Sequence, residues 1–179
     1  MLQLVFVLAA ALAAAMPLTT SLKYKIPTAM LKVMLEDDSC ISPSGFEIEG
    51  FGLFAPGPNN TASPRIDFTF VDVATNINTP CHYNTSSVNV GPAGLTPRWA
   101  CDNNIVSFIW EDDTVTVIEK ACPQDNQPGT VGFEASGSVT PDLTCYKTDT
   151  NSTDGDGITC SSNQQEIDAP FTSLQPTPP

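Results

Sequence analysis

Beyond residue 40 the apolar positions recur with period two. In "FEIEGFGLF", Phe46 and Ile48 alternate with Glu47 and Glu49, and Gly50 then predicts a bulge. In "RIDFTFVDV", Ile66, Phe68 and Phe70 share one face while Asp67 and Thr69 take the other. "NIVSFIWEDDTVTVIEK" reads as a hairpin turning at Glu111-Asp112-Asp113. Its arms offer Val106, Phe108 and Trp110 on one side, Val115 and Val117 on the other. "TVGFEASGSV" alternates Val131, Phe133 and Ala135, and "LTCY" ends the pattern. No amphipathic helix longer than two turns is expected after residue 40. Short strands separated by Gly, Pro and Asn clusters predict an all-β domain over residues 40–160, a small antiparallel β-barrel or sandwich.

The two ends break the alternation. "MLQLVFVLAAALAAAMP" is apolar for about fifteen residues and ends in small ones, with Ala13-Ala14-Ala15 suited to a cleavage site. Residues 1–15 therefore read as a secretory signal peptide. In residues 16–39, Thr28 is placed to cap a short helix presenting Met30, Leu31, Met34 and Leu35. Glu36 and Asp37 are the wrong charge for its end, and the segment reads as a propeptide or flexible arm. Residues 161–179, "SSNQQEIDAPFTSLQPTPP", are polar and proline-rich and read as a disordered tail.

Charge narrows the partners. The 179-residue chain has a formal net charge of −13, and after Glu36 its only basic residues are Arg65, Arg98, Lys120 and Lys147. Such a surface repels phosphate backbones and anionic membranes, so neither nucleic acid nor membrane is an expected partner. A soluble, acid-stable exported protein fits. The six cysteines, Cys40, Cys81, Cys101, Cys122, Cys145 and Cys160, contain no C-x-x-C pair. Behind a signal peptide they read as three disulfides stapling the small domain rather than as a metal site. Three sequons, at Asn59, Asn84 and Asn151, agree with export.

The ordered series "FEIEGF", "IDFTFVD", "TPCHY", "PRWAC", "SFIW", "TVTVIEKAC" and "GFEASGS…LTC", over about residues 40–145, resembles the major Alternaria allergen family of secreted fungal β-barrel proteins. The resemblance implies a compact barrel without a catalytic centre, acting as an allergen-like or effector-like protein. Host (plant) defence proteins or small phenolic ligands are the partners it implies. It also implies pairing of Cys81 with Cys101 and of Cys122 with Cys145. The family's cysteine before the first strand can join two subunits, and Cys40 stands at that place. This chain adds Cys160, which favours an internal Cys40–Cys160 bridge over a covalent homodimer.

In "CHYNTS", Cys81 and His82 are adjacent on an extended segment and point to opposite faces, which opposes a thiolate–imidazolium pair. His82 is the only histidine, so histidine-based metal chemistry lacks ligands, and no G-x-S-x-G elbow accompanies it. "DTNSTDGDG" fails the calcium-loop pattern at Thr153, Asp154 and Cys160, so Asp154 and Asp156 are expected to shape a polar turn. No cofactor, metal site or catalytic residue is expected. Counting leaves one enzyme class open, a carboxylate-only glycoside hydrolase drawing on Glu47, Glu49, Asp67, Asp72, Glu111 or Glu119. The alternative of a carbohydrate-binding or cell-wall protein would use Trp99, Trp110, Tyr83 and Phe51 as a platform, although these residues are expected mainly in the core.

Overall fold

A computed structural model describes residues 21–37, 39–122, 132–149 and 154–178. The expected signal peptide, residues 1–15, lies outside them. Among the described residues one helix, α1 (Thr28–Glu36), precedes eleven strands: β1 (Gly45–Pro56), β2 (Arg65–Asp72), β3 (Ile77–Tyr83), β4 (Trp99–Ala100), β5 (Val106–Glu111), β6 (Thr114–Ala121), β7 (Phe133–Val139), β8 (Leu143–Thr148), β9 (Gly157–Ser162), β10 (Glu166–Pro170) and β11 (Ser173–Pro176). They form two antiparallel sheets. The first runs β3-β2-β1-β9-β8, with β10 also on β1, and the second runs β11-β7-β6-β5-β4. Of the two expected architectures the fold is a sandwich; the sheets do not close into a barrel.

Strand β1 organises the first sheet. Its early residues pair with β10, Phe46 opposite Ala169 and Ile48 opposite Ile167, and its later ones pair with β9, Leu53 opposite Cys160. The switch falls at the expected bulge. Gly50 has φ 62°, a left-handed conformation costly for other residues, and the register against β2 shifts between Glu49 and Gly52. The β5–β6 turn is tighter than expected, because Glu111 pairs with Thr114. Only Asp112 and Asp113 turn, both at positive φ, as a two-residue turn matched to strand twist requires.

Burial follows the alternation. The inner faces meet through aromatic contacts between sheets: Phe68 against Phe108 at 4.9 Å, edge to face, and Phe51 against Trp110 at 5.3 Å. Phe46 meets Phe171, the first residue after β10, at 5.0 Å. Gly137 of β7 lets that connection approach closely. A Cβ there would lie 2.4 Å from the Pro170 carbonyl oxygen.

Three expectations are corrected. Residues 161–179 are not a disordered tail through their described length. Strand β10 buries Ile167 and Ala169, Phe171 is fully buried, and β11 buries Leu174 against β7. The prolines sit where a sheet tolerates them, Pro170 and Pro176 each ending a strand. Nor are the described residues of the N-terminal arm loose. Met30 is buried, and Tyr24, Ile26, Val33 and Met34 pack on the core, while Leu31 and Leu35 stay exposed. Tyr24 donates a hydrogen bond to the Pro43 carbonyl. The helix starts after Pro27 with no side-chain cap, so Thr28 is its first residue rather than its cap.

The third correction concerns the cysteines. All six are joined, and Cys81–Cys101 stands as expected. Cys122 pairs with Cys40 and not with Cys145, and Cys160 pairs with Cys145 and not with Cys40. Register explains the exchange: β8 and β9 are neighbours with Cys145 directly opposite Cys160, Cα atoms 4.0 Å apart. The segment after α1 meanwhile delivers Cys40 to the end of β6, beside Cys122. Cys40, being internally bonded, is not available for an inter-subunit bond.

Two stability outcomes follow. The Cys40–Cys122 bridge spans 82 residues and Cys145–Cys160 spans 15. Chain entropy then assigns losses of about 4.5 and about 3 kcal/mol to the respective double-alanine variants. Urea unfolding of both checks the order, which a larger loss at Cys145–Cys160 would contradict. Phe171→Ala, emptying a fully buried site, is expected to cost about 3–5 kcal/mol. A loss below about 1 kcal/mol would mean that the C-terminal strands do not belong to the folded unit.

Candidate functional site

The six acids named from sequence separate into three environments. Glu111 ends β5 in solvent. Glu47 and Glu49 project from the outer face of β1, opposite Asp168 and Glu166 of β10, and partial burial together with these like charges raises the Glu47 pKa. Asp67 lies on the outer face of β2 beside His82, whose Nδ1 is 2.8 Å from its carboxylate. Cys81 points inward into its disulfide, so the two neighbours do lie on opposite faces and no thiol is present.

Asp72 and Glu119 differ from the rest. Each is 1% exposed. Asp72 continues the inward series Ile66, Phe68, Phe70 on β2, and Glu119 continues Val115, Val117 on β6. Opposite sheets thus bring two carboxyls together inside the sandwich, Asp72 at the end of β2 and Glu119 near the end of β6. Asp72 also shapes the β2–β3 turn, its Oδ1 accepting from the Ala74 and Thr75 amides. The two carboxyls and Thr75 act on one another. Even so, Asp72 Oδ2, Glu119 Oε2 and Thr75 Oγ1 have no well-formed hydrogen bond among the described residues. Burial first, then the Asp72 charge, pushes Glu119 up to about 9; burial also raises Asp72. At neutral pH Glu119 holds its proton.

A cavity of about 150 Å³ opens beside Glu119. Ile41, Ile77 and Ile105 contribute its apolar walls, and Thr75 and Cys122 also line it. The N-terminal segment lies over this region. Ile41 precedes Pro43, the acceptor of the Tyr24 hydroxyl, and the charges of Glu119 and Asp72 help burial to raise the Tyr24 pKa.

The remaining candidates fall elsewhere. Asp154 does sit in a polar turn, where it pairs with Arg65 through two contacts of 2.5 and 2.7 Å that lower its pKa. The Asp156 carbonyl accepts from Asn60, so that turn is tied to the loop after β1. The aromatic candidates form no continuous platform. Phe51 is buried with Trp110 against it, and Tyr83 stacks on Trp99 at 4.7 Å, partly covered. Asn59 and Asn84 are exposed in loops, whereas Asn151 lies outside the described residues. Sequence reasoning missed Thr75 and the isoleucine walls. It named Asp72 and Glu119 but could not pair them. Their phase was the available signal, since both occupy inward positions of otherwise apolar series.

Comparison with known proteins adds little. No protein-family model matches the chain, and no curated protein matches it. Two crystal structures of the Alternaria alternata allergen Alt a 1 are similar in fold. One has TM-score 0.46 and 11% identity over 76% of this chain and 92% of that one. The other has TM-score 0.45 and 12% identity over 75% and 95%. Likenesses this loose decide neither activity nor partner.

The buried pair has a pH signature. Unfolded, Glu119 ionises near its ordinary 4.5; folded, it keeps its proton to about 9. Its contribution to stability is complete below the lower value and is lost as pH rises through the upper one. The slope is about 1.4 kcal/mol per pH unit over that interval. Chemical denaturation between pH 4 and pH 9 should therefore show falling stability, and Glu119→Gln should flatten the fall. A Gln variant with an unchanged slope would place the titration elsewhere.

Proposed function

We propose that the chain is an exported, non-enzymatic protein that acts by binding, effector-like or allergen-like in kind, with host defence proteins or small ligands as its partners. The observation that carries this reading is the placement of the acids. A glycoside hydrolase holds two carboxyls across an open cleft, about 5–9.5 Å apart, with the sugar between them. Here the two convergent acids contact each other within the sandwich at 1% exposure, while Glu47, Glu49, Asp67 and Glu111 stand on outer faces or at a turn. Three disulfides bracing a small β-sandwich support an oxidising, extracellular setting. Among the described residues no helix is long and apolar enough to cross a membrane.

The test presents the oxidised protein to plant extracellular fluid, to insoluble glycans and to a panel of soluble glycans. Saturable capture of a defined protein or small molecule, with no glycan cleaved, is the expected result. Glycan hydrolysis abolished by Asp72→Asn would replace the binding reading with the hydrolase one. Retention on insoluble glycan alone would favour a cell-wall role.

A further inference from the structure

We propose that the cavity beside Glu119 is a binding site for a small organic cation, an amine carried on one ring or a short hydrocarbon. Its volume of about 150 Å³ matches that of apolar cavities that take a single benzene-sized ring. Ile41, Ile77 and Ile105 offer that ring hydrocarbon contact. The polar end is defined by unmet demand. Glu119 and Thr75 line it, with Glu119 Oε2 and Thr75 Oγ1 buried and without well-formed hydrogen bonds among the described residues, and Asp72, outside the lining, interacts with both. Both oxygens can accept hydrogen bonds, and Glu119 shares its buried site with the Asp72 carboxyl. Buried acceptors left unpaired are costly, so a ligand that donates to them gains the full value of the bonds it makes. An ammonium group brings three donors and a positive charge to a pair that remains anionic while it holds one proton. The protein's net charge of −13 draws such cations towards it and repels anions.

Lys120 lines the same mouth but does not fill this role. Its side chain turns outward, and its Nζ donates to the Asn104 carbonyl at 3.0 Å. The outer acids Glu47, Glu49, Glu166 and Asp168 form a cluster of like charge with no comparable buried, unpaired oxygen.

This inference rests on the binding reading above but needs no macromolecular partner. The probe is benzylamine, titrated into the full oxidised protein and followed by amide chemical shifts and by Tm, with benzyl alcohol as the uncharged counterpart. A molecule of this size in such a site should bind in the millimolar class, raising Tm by roughly 3–5 °C at ten times its Kd. Benzyl alcohol should bind at least about tenfold more weakly. Glu119→Gln should lose a similar factor, and Ile105→Phe, which fills the cavity while leaving both carboxyls in place, should abolish saturable shifts near Glu119. Equal affinity for the alcohol and the amine, an unaffected Ile105→Phe variant, or no saturable shift up to about 20 mM amine would each overturn the site. Because alcohol and amine are compared on the unaltered chain, the result holds even if a variant fails to fold. Capture of a plant protein alongside failure of the amine would sink this site and leave the binding reading standing.

Discussion

The fold depends on β1 being hydrogen-bonded along both edges over its twelve residues. One edge belongs to β2, while the other is shared by β9 and β10 in succession. No single straight partner could serve that second edge, because β1 changes register at Gly50. The chain answers by bending between β9 and β10, where the Gly50 amide meets the Gln165 carbonyl at 3.4 Å. After β10 the chain leaves the first sheet and β11 joins the second, with Phe171 buried at the crossing. The bulge therefore decides where the C-terminal residues go, and through them how the two sheets are tied.

The disulfides act on the parts that this scheme leaves weakest. Strand β8 has one strand neighbour and is exposed along most of its length, and Cys145–Cys160 fixes it to β9. Strand β3 is the far edge of the first sheet, and Cys81–Cys101 ties it to the segment leading into β5 of the second. Cys40–Cys122 fastens the N-terminal segment to the end of β6, beside the cavity that Glu119 lines. Each bridge closes a margin that hydrophobic burial alone would leave ready to fray.

What the sequence disclosed was local. The phase of Ile66, Phe68 and Phe70, or of Val115 and Val117, gave the inner faces, and Gly50 gave the bulge. Pairings between distant strands were not legible. Nothing in the spacing of Cys122, Cys145 and Cys160 says that β8 lies beside β9, so the resemblance paired Cys122 with Cys145 and left Cys160 to be assigned to Cys40. The tail was misread because composition outweighed phase. In "EIDAPF" the alternation of Glu166, Ile167, Asp168 and Ala169 is as clear as in β2, yet it is short and stands beside prolines. The same attention to phase exposes the candidate site. An acid at an inward position of an apolar series is an anomaly visible in sequence, and both Asp72 and Glu119 are of that kind. That the two meet is information held only by the packing of the sheets.

Asp72 and Glu119 carry a cost that the rest of the core does not share. A hydrophobic pair at these positions would spare the desolvation penalty, and replacing buried charges by well-packed apolar groups is often neutral or stabilising. Asp72 has a structural task, since its Oδ1 holds the turn between β2 and β3. Glu119 has none of that kind: it sits mid-sheet on β6, where Val115 and Val117 show what the position ordinarily takes. Its Oε2 has no well-formed hydrogen bond among the described residues, and its interactions are with Asp72 and Thr75 across the sandwich. Burying this acid where the strand otherwise carries valine costs desolvation, which a hydrogen-bond donor in the adjoining cavity would offset. The cavity at its side is where that contact has room to occur.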